Sequence, residues 1–302
     1  MAMSTSESAA AAGLPRAAAR PPRLFRFFAD WGPALPLIAV VLVLLIAPVL
    51  WIVAGSFFRD GAFTFQNWID TLSSRHDQQS IINTLALSVS SATVSTLIGA
   101  PVAWLISRMV PVSRSFWLAL LNVGANIGGI GLAFAFIATL GTFGMLTIAM
   151  QALGLDWRPP APATFVGLLM GYEYTNIPLF VLLTIPAMGI IREDWWEAAQ
   201  VAAATRTTFW RRIGLPLLAP FIASGWLLIF TWSVGIYSLA YAFAGRGAQE
   251  PFPLITLTVG LTIEFDVFTT WRAYVLVVVL MAIAIVALVA YRALLRRALK
   301  WF

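Results

Sequence analysis

The sequence predicts an all-α polytopic membrane protein with six transmembrane helices and both termini cytoplasmic. Three observations carry the prediction. Hydrophobic residues make up 60% of the 302-residue chain and charged residues 11%, where a soluble domain carries roughly a quarter charged. With a mean hydropathy of +0.87, the apolar surface exceeds what one aqueous core hides, so the excess faces lipid. Six apolar stretches, near 34–57, 81–107, 115–140, 163–190, 214–243 and 273–290, each approach the ~20 residues that cross ~30 Å of hydrocarbon. The basic residues then segregate. Six crossings put 14 Arg and Lys on the side of the termini and 5 on the other, and the richer side is cytoplasmic.

Residues 1–33, rich in Ala, Ser, Pro and Arg, read as a flexible cytoplasmic tail ahead of a transmembrane domain over 34–300. The first stretch is too long for a signal-peptide core, and no small-residue cleavage site follows it. The second holds SVSSATVST (88–96), whose hydroxyls bond their own helix carbonyls or a neighbouring helix. In the third, LLNVGANIGGIGLAF (120–134), four glycines permit close helix approach. Asn122 and Asn126 there either line a pathway or bond across helices, packing being favoured.

The fourth stretch contains GYEYTNIP (171–178). Glu173 lies ten residues into it, about 15 Å from its outer end and so near the midplane. A lone carboxylate costs roughly a few kcal/mol there, so it faces a cavity or has a partner. Two readings stand. Glu173 is a pathway carboxylate for a cationic solute, with Tyr172, Tyr174 and Asn176 beside it and aromatic rings assisting. Or it is structural, protonated or hydrogen-bonded to another span. A kink at Pro178 would free the carbonyl of Tyr174 beside the same cavity. In the fifth stretch, Ser233, Tyr237 and Tyr241 fall near one face by their four-residue spacing, as a gate or, for Tyr241, an interface anchor. The external LITLTVGLTI (254–263) is too short to span and reads as interfacial or re-entrant.

Several chemistries are excluded. The chain has no cysteine, so disulfides and thiolate sites are absent. His76, the one histidine, sits with Asp77 in an external loop and reads as a surface residue, not a metal ligand. Lys300, the one lysine, is two residues from the end, so no phosphate-binding loop exists. If ATP drives this protein, another chain binds it. No cluster of His, Asp, Glu or Cys at catalytic spacing appears in the spans, which argues against an enzyme. The basic RALLRRALK (292–300) follows a span and reads as an anchor at anionic lipid headgroups, not a nucleic-acid site.

The longest internal cytoplasmic segment, 191–213, with the coupling segment extending to 216, draws the functional reading. Asp194 reads as a helix cap with Glu197 three residues on, a capping-box spacing. Five alanines between 198 and 204 give helix propensity with little bulk, which lets another surface approach closely. Thr207 reads as the start of a second short helix, and Pro216 fits the first turn of the fifth span.

EAAQVAAATRTTFWRRIGLP (197–216) resembles the EAA motif of permease subunits of binding-protein-dependent type I ABC importers. The family pattern is EAA, three residues, Gly, nine residues, Ile, one residue, Leu-Pro. Glu197, Ala198, Ala199, Ile213, Leu215 and Pro216 match it, while Ala203 replaces the glycine, and its Cβ argues against a left-handed turn there. The motif falls between the fourth and fifth spans on the cytoplasmic side, as the family requires. A second resemblance lies in Asn83-Thr84-Leu85 followed by Gly99, Pro101 and Ala103. The spermidine/putrescine-like branch, which also holds iron, thiamine and phosphonate permeases, is the most similar.

The resemblance implies a bacterial inner-membrane subunit with no cofactor of its own. ATP and Mg would sit in a partner ATPase dimer. A second permease subunit, identical or paralogous, would complete the pathway, and an external solute-binding protein would deliver substrate. The EAA helix would seat in the ATPase with Glu197 facing it. Glu173 points to a small cationic solute such as a polyamine; import of another small solute, phosphonate, iron or thiamine, is the alternative, ahead of an ion-coupled secondary transporter using Glu173.

Overall fold

The computed structural model describes residues 32, 34–155, 159–244 and 252–299. Apart from Gly32, the tail read over 1–33 lies outside the described residues. The chain divides into two units, 1–51 and 52–302. Among the described residues six stretches are long and apolar enough to cross a membrane: Leu35–Gly55, Arg75–Ser107, Gly129–Ala152, Phe165–Met188, Arg206–Val234 and Thr270–Leu294.

The first unit supplies most of helix α1 (Leu35–Gly55), which is apolar all round, carries no charge and buries none of its residues. Such a helix is solvated by lipid.

The second unit opens with a hairpin of β1 (Phe58–Arg59) and β2 (Ala62–Phe63). Asp60 and Gly61, both at positive φ, make its turn, as Asp-Gly turns do. Short α2 (Gln66–Ser73) leads to the long α3 (Arg75–Ser107). Next come α4 (Pro111–Asn126), α5 (Gly129–Leu140), α6 (Met145–Ala152) and α7 (Phe165–Met188), the last unbroken through Pro178 and Pro186. The segment between spans holds α8 (Glu193–Val201) and α9 (Arg206–Phe209); a π turn (Trp210–Gly214) joins α9 to α10 (Leu215–Val234). The chain ends in α11 (Ser238–Ala244), α12 (Ile255–Phe265) and α13 (Thr270–Leu299).

Helices α3, α7 and α10 pack on one another, with α4 against α7 and α13 against α10. Phe180 of α7 marks the junction and is fully buried. A Cβ at Gly99 on α3 would come within 2.5 Å of its ring, and one at Gly225 on α10 within 2.9 Å. Two glycines thus make the slot for one ring, the small-residue packing expected where lipid supplies no hydrophobic drive between helices.

One end of this bundle is tied by polar contacts. Arg272 donates through Nε and Nη2 to both oxygens of Asp77, at 2.7 and 2.6 Å. The sequence places Asp77 in a surface loop; instead α3 begins at Arg75 and Asp77 is fully buried. The Asn83-Thr84 pair of the second resemblance receives α12. Asn83 Nδ2 donates to the Pro253 carbonyl at 3.0 Å, and Thr84 Oγ1 accepts from the Ile255 amide at 2.9 Å. Helix α12 covers the apolar segment read as interfacial or re-entrant. It buries Ile255, Leu257, Thr258 and Thr262, so much of it packs on protein rather than lipid.

Two spans differ from their predicted form. The third, expected as one helix over 115–140, is broken, and the stretch long and apolar enough to cross lies instead at Gly129–Ala152. Helix α4 stops at Ile127, whose backbone is extended, and α5 restarts at Gly129 with φ +67°. An L side chain rarely adopts that angle, so the Gly128-Gly129 pair is where the break falls. The fifth, expected over 214–243, leaves the helix at Gly235–Tyr237 and resumes as α11. Ser233 and Tyr237 therefore do not share a helical face.

Candidate functional site

The segment 191–216 is pinned at its start. Ile191 is buried, its carbonyl accepts from Arg108 at the end of α3, and the Arg108 guanidinium lies 4.1 Å over the Trp104 ring. The Asp194–Glu197 capping box does not form. Arg192 occupies the cap position of α8 with no side-chain cap, and Asp194 lies in the first turn, paired with Arg192. A carboxylate one residue inside the helix still meets the positive N-terminal dipole, so the cap position shifts at little cost.

The end of α8 is a Schellman turn. The Ala204 amide donates to Ala199 and that of Ala203 to Gln200, both at 2.9 Å, with Ala203 left-handed at φ +55°. The sequence argues against this turn because of the alanine Cβ; it forms regardless. Its two hydrogen bonds and the exposure of the methyl offset the ~1–2 kcal/mol cost of the angle. Thr205, not Thr207, starts α9, accepting from the Thr208 amide at 3.2 Å.

Helix α8 has two faces. Ala199 is buried and the Trp196 ring meets Phe209 edge-on at 5.4 Å, in a cluster with Ile106, Val181, Met188 and Leu218. Glu197, Ala198 and Ala202 face outward, and Val201 is 91% exposed. The motif's far end, Ile213, Leu215 and Pro216, is also exposed, with Pro216 in the first turn of α10 as expected. A Cβ at Gly214 would approach the Trp210 ring to 2.5 Å, so the π turn folds onto that glycine. A groove of about 320 Å3, lined by Arg108, Trp196, Glu197, Arg206 and Trp210, runs beside α8.

The two span breaks meet. A Cβ at Gly129 would lie 3.3 Å from Ser238 Oγ, and the breaks border a cavity of about 710 Å3 with Asn126, Gly129, Thr175, Gly235 and Tyr237 in its wall. Asn126 and Tyr237 are thus brought together. Asn122 is not in that wall; both asparagine amides donate to carbonyls one turn back in α4, at 2.9 and 2.8 Å. The glycine spacing signalled close packing, and the same glycines set the break.

Glu173 lies apart from this wall. Its Oε2 accepts from Ser95 Oγ at 2.6 Å, while Oε1 is buried with no partner among the described residues. Asn176 Nδ2 donates to Ser91 at 2.8 Å and to Ser233 at 2.9 Å. Ser91, Asn176 and Ser233 thereby join α3, α7 and α10 in one buried polar chain, with the Ser95–Glu173 pair as a second α3–α7 contact. Glu173 thus carries the neighbouring-span hydrogen bond of the structural reading on one oxygen, while its other oxygen keeps no partner among the described residues. Ser91 and Ser95, four apart on α3, are the partners sequence reasoning missed. Their spacing within the hydroxyl run was the available signal. Tyr172 is buried, with its hydroxyl donating to the Ile236 carbonyl at 3.3 Å, whereas Tyr174 is exposed and meets Phe136 edge-on. Tyr172 and Tyr174 therefore do not share a surface.

No family model matches the chain. Over 180 residues it is 29% identical to the molybdenum transport system permease protein ModB of Mycobacterium tuberculosis, covering 56% of this chain and 65% of that one. It is 24% identical over 223 residues to the trehalose/maltose transport system permease protein MalF of Thermococcus litoralis, covering 70% and 76%. It is 25% identical over 206 residues to the spermidine/putrescine transport system permease protein PotB of Haemophilus influenzae, covering 66% and 72%. The match thus spans just under two thirds of the molybdenum permease. Among solved structures, a chain of a bacterial alginate ABC transporter in complex with an alginate pentasaccharide-bound periplasmic protein superposes with TM-score 0.72 at 18% identity, covering 87% of this chain and 94% of that one. The class is therefore a multi-pass inner-membrane protein with the fold found in that ABC transporter, and the relatives named are transport system permease proteins. Those relatives carry molybdenum, sugar and polyamine names, so they single out no polyamine branch.

Proposed function

We propose that this chain is the permease subunit of an ATP-driven importer, forming the translocation pathway and coupling to a separate ATPase. One observation carries the reading. The EAA-spaced segment is a short helix closed by a left-handed turn, anchored by Trp196, Ala199 and Phe209, and presenting Glu197, Ala198 and Val201 outward. An exposed valine beside small residues on an anchored helix suits a partner's groove. The partners are an ATPase dimer that holds ATP and Mg, a second permease copy or paralogue, and an external binding protein. ATP binding then supplies the differential free energy that shifts an inward–outward equilibrium. In reconstituted vesicles Glu197→Lys is expected to leave the subunit assembled while ATP hydrolysis proceeds without uptake. Uptake at the native rate would contradict the coupling role.

For the solute, Glu173 supports a small cation such as a polyamine, in line with the name of the Haemophilus relative. A second reading is favoured by a different observation. The start of α5, where a helix leaves backbone N–H groups unpaired, borders the 710 Å3 cavity, whose wall holds no carboxylate among the described residues. That suits an oxyanion, as the name of the molybdenum relative suggests. Uptake competition separates them. Loss of diamine transport in Glu173→Gln supports the cation; competition by molybdate and none by diamines supports the oxyanion.

A further inference from the structure

A second, open pocket of about 430 Å3, with Ile263 and Glu264 exposed at its rim, lies between α12 and α13 and shares Tyr237 with the larger one. Its wall is apolar at Val259, Ile263, Val277 and Leu280, and it holds one carboxylate, Glu264. On α12, Thr256, Val259, Gly260, Ile263 and Glu264 follow the i, i+3, i+4, i+7, i+8 pattern, so one face of that helix builds one side of the cavity. Glu264 is held in place: Tyr241 Oη donates to its Oε2 at 2.9 Å. The Tyr237 and Tyr241 rings lie 5.3 Å apart. Gly260 admits the Tyr237 ring, because a Cβ there would come within 2.5 Å of it. Apolar walls for methylenes, one fixed carboxylate and an aromatic face together describe a receptor for an organic cation.

We propose that this cavity is a binding subsite for an alkylammonium group, with Glu264 as counter-ion and Tyr237 as the aromatic wall between it and the larger cavity. The proposal rests on the permease reading and names its solute class from residues other than Glu173. The carboxylate takes the ammonium, and the four aliphatic side chains take the carbon chain. Because Tyr237 borders both cavities, a solute leaving Glu264 passes its ring to reach Asn126 and Thr175.

The test measures binding by calorimetry on the full-length chain in phosphatidylcholine nanodiscs, without nucleotide, so that failed coupling and failed binding are told apart. The probes are 1,6-diaminohexane and the uncharged 1,6-hexanediol. The diamine is expected to bind and the diol not. Glu264→Gln, which keeps an acceptor for Tyr241, is expected to weaken diamine binding about tenfold or more. Tyr237→Leu is expected to weaken it several-fold, and Tyr237→Phe to leave it intact. Equal binding of the diol, or native diamine affinity in both Glu264→Gln and Tyr237→Leu, would overturn the proposal. Should Glu264→Gln fail to fold, the diamine–diol comparison and Tyr237→Leu decide. Diamine binding alongside native uptake in Glu197→Lys would keep the subsite and reject the coupling.

Discussion

Ala203 holds the motif's turn in a conformation that its own side chain resists. With φ at +55°, Ala203→Gly is expected to raise stability by about 1 kcal/mol, read as a higher unfolding midpoint in detergent. No change or a loss would contradict the cost assigned to the angle. Asp77 is the opposite case, a buried charge satisfied by both donors of Arg272. Asp77→Ala is expected to cost about 3–5 kcal/mol, because Arg272 keeps its charge without a partner, and adding Arg272→Met should recover much of it. A double variant no better than the single one would contradict this. At this scale the sequence was uneven. Glu197 and Ala198 could be placed on an exposed helix from local spacing. Asp77 could not be paired with Arg272, since 195 residues separate them and nothing local links a carboxylate at a helix start to an arginine near the last span.

Helices were legible wherever apolar length alone decides. Six stretches emerge because lipid demands ~20 apolar residues with every backbone group paired internally. The breaks in the third and fifth spans were not legible as breaks. GANIGG (124–129) serves equally as a packing face or as a hinge, and only Ser238 beside Gly129 distinguishes them. Gly129→Ala is therefore expected to disturb this junction through its φ of +67° as well as through the 3.3 Å approach to Ser238. Gly131→Ala, where a Cβ meets nothing within 4 Å, should be tolerated. Comparing the two by thermal unfolding and uptake checks this, and equal effects would remove the special role of the break. The Ser91 and Ser95 side chains teach the same lesson. Their helix was readable, but the neighbour they bond to was not.

Across the whole molecule, one end is stitched by side-chain hydrogen bonds and an ion pair, and another region presents the α8 segment. Broken helices border a cavity elsewhere in the second unit. That division suits a machine in which a rigid lever moves helices with weak points. The lever is the central claim, and the chain's lack of cysteine permits a direct test. A single cysteine replacing Val201, which is 91% exposed, can be labelled with a membrane-impermeant maleimide in inside-out vesicles. The account predicts rapid labelling when the subunit is alone, and protection of about tenfold or more when the ATPase subunits are bound, with the degree of protection changing on ATP addition. Labelling at one rate with and without the ATPase, or blocked by lipid alone, would contradict it.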